Sequence, residues 1–71
     1  MEVLVFKTNV TSRKKVSIVA PILTSYPTIL QWNFDLQDRD RVLRIESTEQ
    51  NPGSVESLLL LAGFKCRELD Y

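Results

Sequence analysis

The 71-residue sequence predicts a single α+β domain in which four strands form one antiparallel sheet and two helices cover one of its faces. Apolar residues alternate with a period of two in some segments and recur at helical spacing in others. These segments follow one another in the order strand, helix, strand, strand, helix, strand. The length allows one continuous core, so residues 1–71 are expected to form one domain without a linker.

The first strand and the first helix occupy residues 3–25. Residues 3–10 are rich in β-branched and aromatic side chains, with Leu4, Phe6 and Thr8 expected on one face. Either Thr11 or Ser12 can cap the helix, because a hydroxyl accepts a hydrogen bond from a free amide of the first turn. The apolar positions of the helix are Val16, Val19, Ile22 and Leu23. Pro21 lacks an amide donor and is expected to kink or thin the helix near residues 17–20.

A hairpin and a second β-α-β half complete the chain. Residues 29–36 and 41–47 predict two strands joined by the polar turn 37–40. Residues 51–54 offer caps for the second helix, and Gly63 is placed to end it. The residues expected on its buried face are Val55, Leu58, Leu59 and Ala62. Residues 64–71 predict the last strand, with Cys66 facing the core.

This βαββαβ order is typical of the ferredoxin-like sandwich. Right-handed crossovers leave few other arrangements for it. Both helices then lie on one face of the sheet. The other face is left open to solvent or to a partner, and either this face or an edge strand could serve a homodimer. An apolar strip of Val3, Val5 and Val42 is expected there.

Composition limits the classes of function. The 9 Lys and Arg residues balance the 9 Asp and Glu residues, so no net field attracts nucleic acid or an anionic membrane. The single cysteine excludes an internal disulfide and fits a reducing compartment. The sequence begins without a basic and apolar leader, and no apolar run is long enough to span a membrane. We therefore expect a cytoplasmic protein that neither inserts into membranes nor binds nucleic acid.

Residues 3–69 resemble the heavy-metal-associated domain of copper chaperones and metal-transporting ATPases. That family has a Met-Thr-Cys-x-x-Cys-Val segment between the first strand and the first helix, and residues 10–16, Val-Thr-Ser-Arg-Lys-Lys-Val, fall in register with it. The family opens its second strand with Gly-Val, which corresponds to residues 28–29. It ends its second helix with Ala-Gly-Tyr, and residues 62–64 read Ala-Gly-Phe. The resemblance implies the same fold.

The two metal-ligand positions of that motif are substituted in this sequence. Ser12 stands at the first and Lys15 at the second. Copper(I) prefers thiolate ligands, and zinc sites need several Cys or His ligands, whereas this chain has no His and one Cys. Arg13 and Lys14 add further positive charge to a helix start that is already positive. We therefore expect no metal site and no cofactor at this loop, which is either a solvated helix start or a surface for an acidic partner.

An enzyme is not predicted. Ser12 and Lys15 match the Ser-x-x-Lys spacing of serine acyl-enzymes, but no companion motif or oxyanion pocket is evident in so short a chain. Asp38 and Asp40 lie in a turn beside arginines, as solvated and ion-paired carboxylates would.

Two functions of different class remain from the sequence. The first is a binding or regulatory module that contacts another protein or a second copy of itself through the loop of residues 12–15, with Arg13, Lys14 and Lys15, or through the open sheet face. Leu60, which lies opposite the apolar stripe of the second helix, is a further candidate contact. The alternative is copper or zinc handling through an atypical site, to which Cys66 or backbone groups from two copies supply ligands.

Overall fold

The predicted order of strands and helices is confirmed. The computed structural model describes residues 2–69. Its elements are β1 (Glu2–Thr8), α1 (Arg13–Ser25), β2 (Ile29–Asp35), β3 (Val42–Ser47), α2 (Pro52–Leu61) and β4 (Cys66–Glu68). The strands form one antiparallel sheet in the order β2-β3-β1-β4. Because α1 contacts β2, α2 contacts β4 and the helices contact each other, both helices lie on one face of the sheet.

The core lies between that face and the helices, where the alternating pattern predicted it. Every second residue of β1 and β3 points inward, and each helix contributes one turn-spaced pair. The buried apolar side chains are Leu4, Phe6, Val10, Val19, Leu23, Ile29, Leu43, Ile45, Val55 and Leu59. Burial of these side chains stabilises the sandwich by roughly 1.5–3 kcal/mol for each large one.

Strand β2 contains an irregularity that explains its broken alternation. The pairing with β3 shifts between Ile29 and Gln31, so that Leu30 is an extra residue with 53% of its surface exposed. The shift returns Trp32 to the helix side, where its indole N–H donates to the Thr24 hydroxyl at 3.2 Å. Without the shift, either Ile29 or Trp32 would face solvent.

Helix α1 is continuous through Pro21. It ends at Ser25, as the predicted range did, so the kink or thinning predicted near residues 17–20 does not break the helix. The Pro21 ring lies on the exposed side of the helix. Val19 and Leu23, one on each side of it, are fully buried, and this packing holds the helix together across the missing amide donor.

Helix α2 ends as predicted, whereas β4 starts later than predicted. Gly63 ends α2 with φ of +92°, and the Phe64 N–H donates to the Leu59 carbonyl at 2.9 Å, as in a Schellman motif. This closure uses residues 62–65, so β4 begins only at Cys66. The final residues of the predicted last strand, 70–71, lie outside the described residues.

The hairpin between β2 and β3 ends in a left-handed residue. Arg41 has φ of +46°, which prevents it from extending β3 as predicted, and the strand starts at Val42. The Arg41 guanidinium donates to the carbonyls of Leu36 and Asp38, each at 3.0 Å. These bonds hold the turn in place.

Candidate functional site

The loop between β1 and α1 is closed by a helix cap at Ser12. Ser12 is the N-cap residue, with φ of −145° and ψ of 159°. Its Oγ accepts a hydrogen bond from the Lys15 N–H at 3.2 Å, and its carbonyl accepts one from the Val16 N–H at 3.0 Å. The predicted cap is confirmed, and the choice between Thr11 and Ser12 falls on Ser12. The Ser12 hydroxyl thus satisfies a first-turn amide.

The first turn of α1 carries three exposed cations and no acidic residue. Arg13, Lys14 and Lys15 all lie on the surface. The Lys15 ammonium donates to the Thr11 hydroxyl at 3.2 Å. A Ser-x-x-Lys nucleophile would instead need the lysine nitrogen in contact with the Ser12 hydroxyl. Within residues 2–69 the sole ion pair is elsewhere, between Lys7 and an Asp40 carboxylate oxygen at 3.6 Å.

The first residues of the loop, Asn9 and Val10, are held in place by hydrogen bonds and burial. Val10, at the position of the family's Met, is fully buried and its N–H donates to the Thr8 hydroxyl at 3.1 Å. Asn9 forms two hydrogen bonds with Lys65: its N–H donates to the Lys65 carbonyl at 3.2 Å, and its Oδ1 accepts from the Lys65 N–H at 2.7 Å. The basic turn, Arg13–Lys15, therefore follows a stretch of backbone that is held by hydrogen bonds.

Cys66 lies at the same end of the sheet as this loop. It is the cross-strand partner of Thr8, the last residue of β1, and it packs against the core as predicted. Burial, together with the nearby Glu56 carboxylate, raises the pKa of the Cys66 thiol from 9.0 to about 12. The structure therefore disfavours the thiolate, which is the form that binds a metal.

Leu60 and the open sheet face are exposed as predicted. Leu60 is 71% exposed on the outer side of α2, and the adjacent Leu61 is 86% exposed. On the open sheet face, Val3 is 46% exposed and its cross-strand partner on β3 is a glutamate. Val5 pairs with Arg44, so the predicted apolar strip is divided by charged side chains.

Among residues 2–69, no three His, Cys, Asp or Glu side chains come together as a metal-binding group. No helix in that part of the chain has the length and apolar character needed to cross a membrane.

Comparison with solved structures identifies the fold. The copper(I)-loaded first domain of the human copper chaperone for SOD1 superposes with a TM-score of 0.78 at 20% identity, covering 93% of this chain and 89% of that one. The chain shares the ferredoxin-like fold of this domain. A second structure, described under crosstalk between Cu(I) and Zn(II) homeostasis, gives a TM-score of 0.83 at 10% identity over 97% of this chain and 100% of that one. No family model matches the chain, and no curated protein matches it by sequence.

Two long-range contacts of this fold have no signature in the sequence. The Asn9–Lys65 pair joins residues 56 positions apart. Similarly, the Glu68 N–H donates to a Glu56 carboxylate oxygen at 2.8 Å, which ties β4 to α2. Neither pair is marked by a motif, because each depends on which loop ends meet in the folded sheet.

Proposed function

We propose that this chain is a non-enzymatic protein-contact module on a copper-chaperone fold, and that its contact surface is the basic turn Arg13–Lys15. The observation that carries the proposal is the helix cap at Ser12, which closes the loop between β1 and α1. The Ser12 hydroxyl is engaged by the Lys15 amide at 3.2 Å, and the three neighbouring side chains are exposed cations. Such a surface repels a metal cation and attracts carboxylates.

The partner surface is acidic. The amides at the start of α1 and the three cations have the same sign, and no acidic side chain of the first turn neutralises them. Charge complementarity of this kind mainly increases the association rate and selects against basic partners. Binding should therefore weaken as salt rises, since the Debye length is about 8 Å at physiological ionic strength.

Copper or zinc handling is the competing function. It needs Cys66, whose thiol is half-buried with its pKa raised to about 12, or ligands from a second copy. Metal binding would require the thiolate of Cys66, and both burial and the nearby Glu56 carboxylate disfavour that negative charge. The copper-chaperone fold supports this alternative, and the side chains at the loop oppose it.

Capture of partners from the native cell tests the contact surface. The bait variant Lys14→Glu, Lys15→Glu reverses two charges of the basic turn. The matched control Arg39→Glu, Arg44→Glu changes the net charge equally at exposed positions elsewhere. We expect the first variant to lose a partner that the wild type and the control both retain. Equal capture by all three baits would refute a contact through this turn.

A metal titration separates the two functions. Under reducing conditions, copper(I) and zinc are added to the full chain and to a Cys66→Ser variant. We expect weak binding that is the same for both proteins. Stoichiometric tight binding that disappears in the Cys66→Ser variant would instead establish the metal function.

A further inference from the structure

Strand β4 is one of the two edge strands of the sheet in the described part of the chain, the other being β2. Toward β1, the Lys65 carbonyl accepts a bond at 3.2 Å and the Leu69 N–H donates one at 2.8 Å. In an antiparallel ladder, successive residues direct their main-chain groups alternately toward and away from the partner strand. The main-chain groups of Cys66 and Glu68 therefore point away from β1, toward the free edge.

One of these edge groups is already engaged. The Glu68 N–H donates to a Glu56 carboxylate oxygen of α2 at 2.8 Å. The Cys66 N–H and the carbonyls of Cys66 and Glu68 remain directed outward. An edge of this kind is a template for adding another strand, and a side-chain carboxylate that occupies one amide covers it only in part.

The two sides of this edge differ in chemistry. On the side of the open sheet face, a cleft of about 280 Å³ is lined by three cations, Lys7, Lys65 and Arg67. Lys7 and Arg67 are directly opposite each other in the ladder, a pairing of like charges that is unfavourable in the free protein. Asp40 forms a 3.6 Å ion pair with Lys7, which leaves a positive excess in the cleft.

On the helix side, a groove of about 430 Å³ runs between α2 and β4. Its apolar lining comes from Leu60, Phe64 and Cys66. Leu60 is 71% exposed, so an apolar side chain placed in the groove would bury surface that the free protein leaves in water.

We propose that the β4 edge binds an extended segment of a partner protein in which acidic and apolar residues alternate. Successive side chains of a strand point to opposite faces, so the acidic set would meet Arg67 and the apolar set would enter the groove at Leu60. A second copy of β4 fits poorly, because two-fold pairing centred on the strand would place two Arg67 side chains opposite each other. The inference rests on the proposed protein-contact role, but it assigns a surface separate from the basic turn.

The test uses the full chain and a capped synthetic heptapeptide of alternating Val and Glu. We expect amide resonance shifts on peptide addition to concentrate in residues 65–69 and on the outer side of α2. Arg67→Glu and Leu60→Asp, both at exposed positions, should each weaken the affinity at least about tenfold. Glu56→Ala should strengthen it several-fold, because the Glu68 N–H becomes available and a repelling charge is lost. Glu56→Gln, which keeps the acceptor, should lie between the wild type and Glu56→Ala.

Controls distinguish this site from the basic turn. A peptide with Lys in place of Glu should not bind, and Lys14→Glu, Lys15→Glu should leave the affinity for the Val-Glu peptide within about twofold. Absence of binding at millimolar peptide, shifts confined to β2, or equal binding of the Lys peptide would each overturn the proposal. Loss of partner capture by the basic-turn variant without any peptide binding would overturn it while leaving the proposed function intact.

Discussion

The Thr8 hydroxyl at the end of β1 donates a 2.6 Å hydrogen bond to the Arg41 carbonyl of the β2–β3 hairpin. The same oxygen accepts from the Val10 N–H at 3.1 Å, and the side chain is buried. One hydroxyl therefore joins the hairpin to the backbone that leads into the basic turn.

Replacing Thr8 with Val should destabilise the protein by about 1–3 kcal/mol, because the buried Val10 N–H and the part-buried Arg41 carbonyl lose their partner while the volume is kept. Thr8→Ser retains the hydroxyl and should cost less. Chemical unfolding in urea measures both free energies. A Thr8→Val variant as stable as Thr8→Ser would show that these two bonds contribute nothing.

The leucines of α2 should differ sharply in how much each contributes to the free energy of unfolding. Leu59 is fully buried and Leu61 is 86% exposed. Leu59→Ala should lower the free energy of unfolding by about 2–5 kcal/mol through lost burial and a residual cavity. Leu61→Ala should change it by less than about 0.5 kcal/mol. Urea unfolding of both variants checks the difference, and similar values would contradict the helix orientation.

The Cys66 thiol should react slowly in the folded protein. With a pKa of about 12 against an ordinary 9.0, its thiolate fraction at pH 8 is far below that of the unfolded chain. Alkylation by iodoacetamide should be at least about a hundredfold slower without urea than in it, and should still be accelerating at pH 10. Folded-state alkylation within about tenfold of the urea rate would contradict the raised pKa.

The same pKa predicts how stability depends on pH. Above pH 9 the unfolded chain releases the Cys66 proton while the folded chain keeps it, so the free energy of unfolding falls as pH rises from 9 toward 12. The stability from this group is fully present below pH 9. A Cys66→Ser variant lacks the effect, and urea unfolding at pH 7 and pH 10.5 should show a larger loss for the wild type.

Introducing a Cys-x-x-Cys pattern at the start of α1 should create a copper(I) site. The variant Ser12→Cys, Lys15→Cys places two thiols at the start of α1, where the helix N-terminus favours thiolates. It should bind one copper(I) under reducing conditions far more tightly than the wild type. The control Ser17→Cys, Ser25→Cys adds two exposed cysteines too far apart along α1 to chelate. Equal affinity in the two variants would show that the loop cannot adopt the ligand geometry.

Local periodicity was enough to predict most of the fold. Alternation identified the buried residues of β1 and β3, such as Phe6 and Leu43, because side chains in a strand alternate strictly between faces. The stop at Gly63 was also predictable, since a left-handed residue at a helix end favours glycine. A hydroxyl cap at Thr11 or Ser12 was predictable as well, and the structure assigns it to Ser12.

Other features needed the tertiary structure. Packing or turn geometry decides three features that hydrophobic periodicity does not predict. These are the pairing shift at Leu30, the continuation of α1 through Pro21 and the start of β3 after Arg41. The sequence placed the basic turn at a helix start, but it contained no sign that the Lys15 ammonium would bind Thr11.

The sequence by itself determined the order of elements, the buried faces and the absence of cysteine from the loop between β1 and α1, because each is a property of residue type and spacing along the chain. Only the tertiary structure decided that Asn9 would bind Lys65 and that the Glu56 carboxylate would occupy the Glu68 amide at the edge of the sheet. These contacts join distant residues, and they exist only once strand order and register have brought the chain segments together.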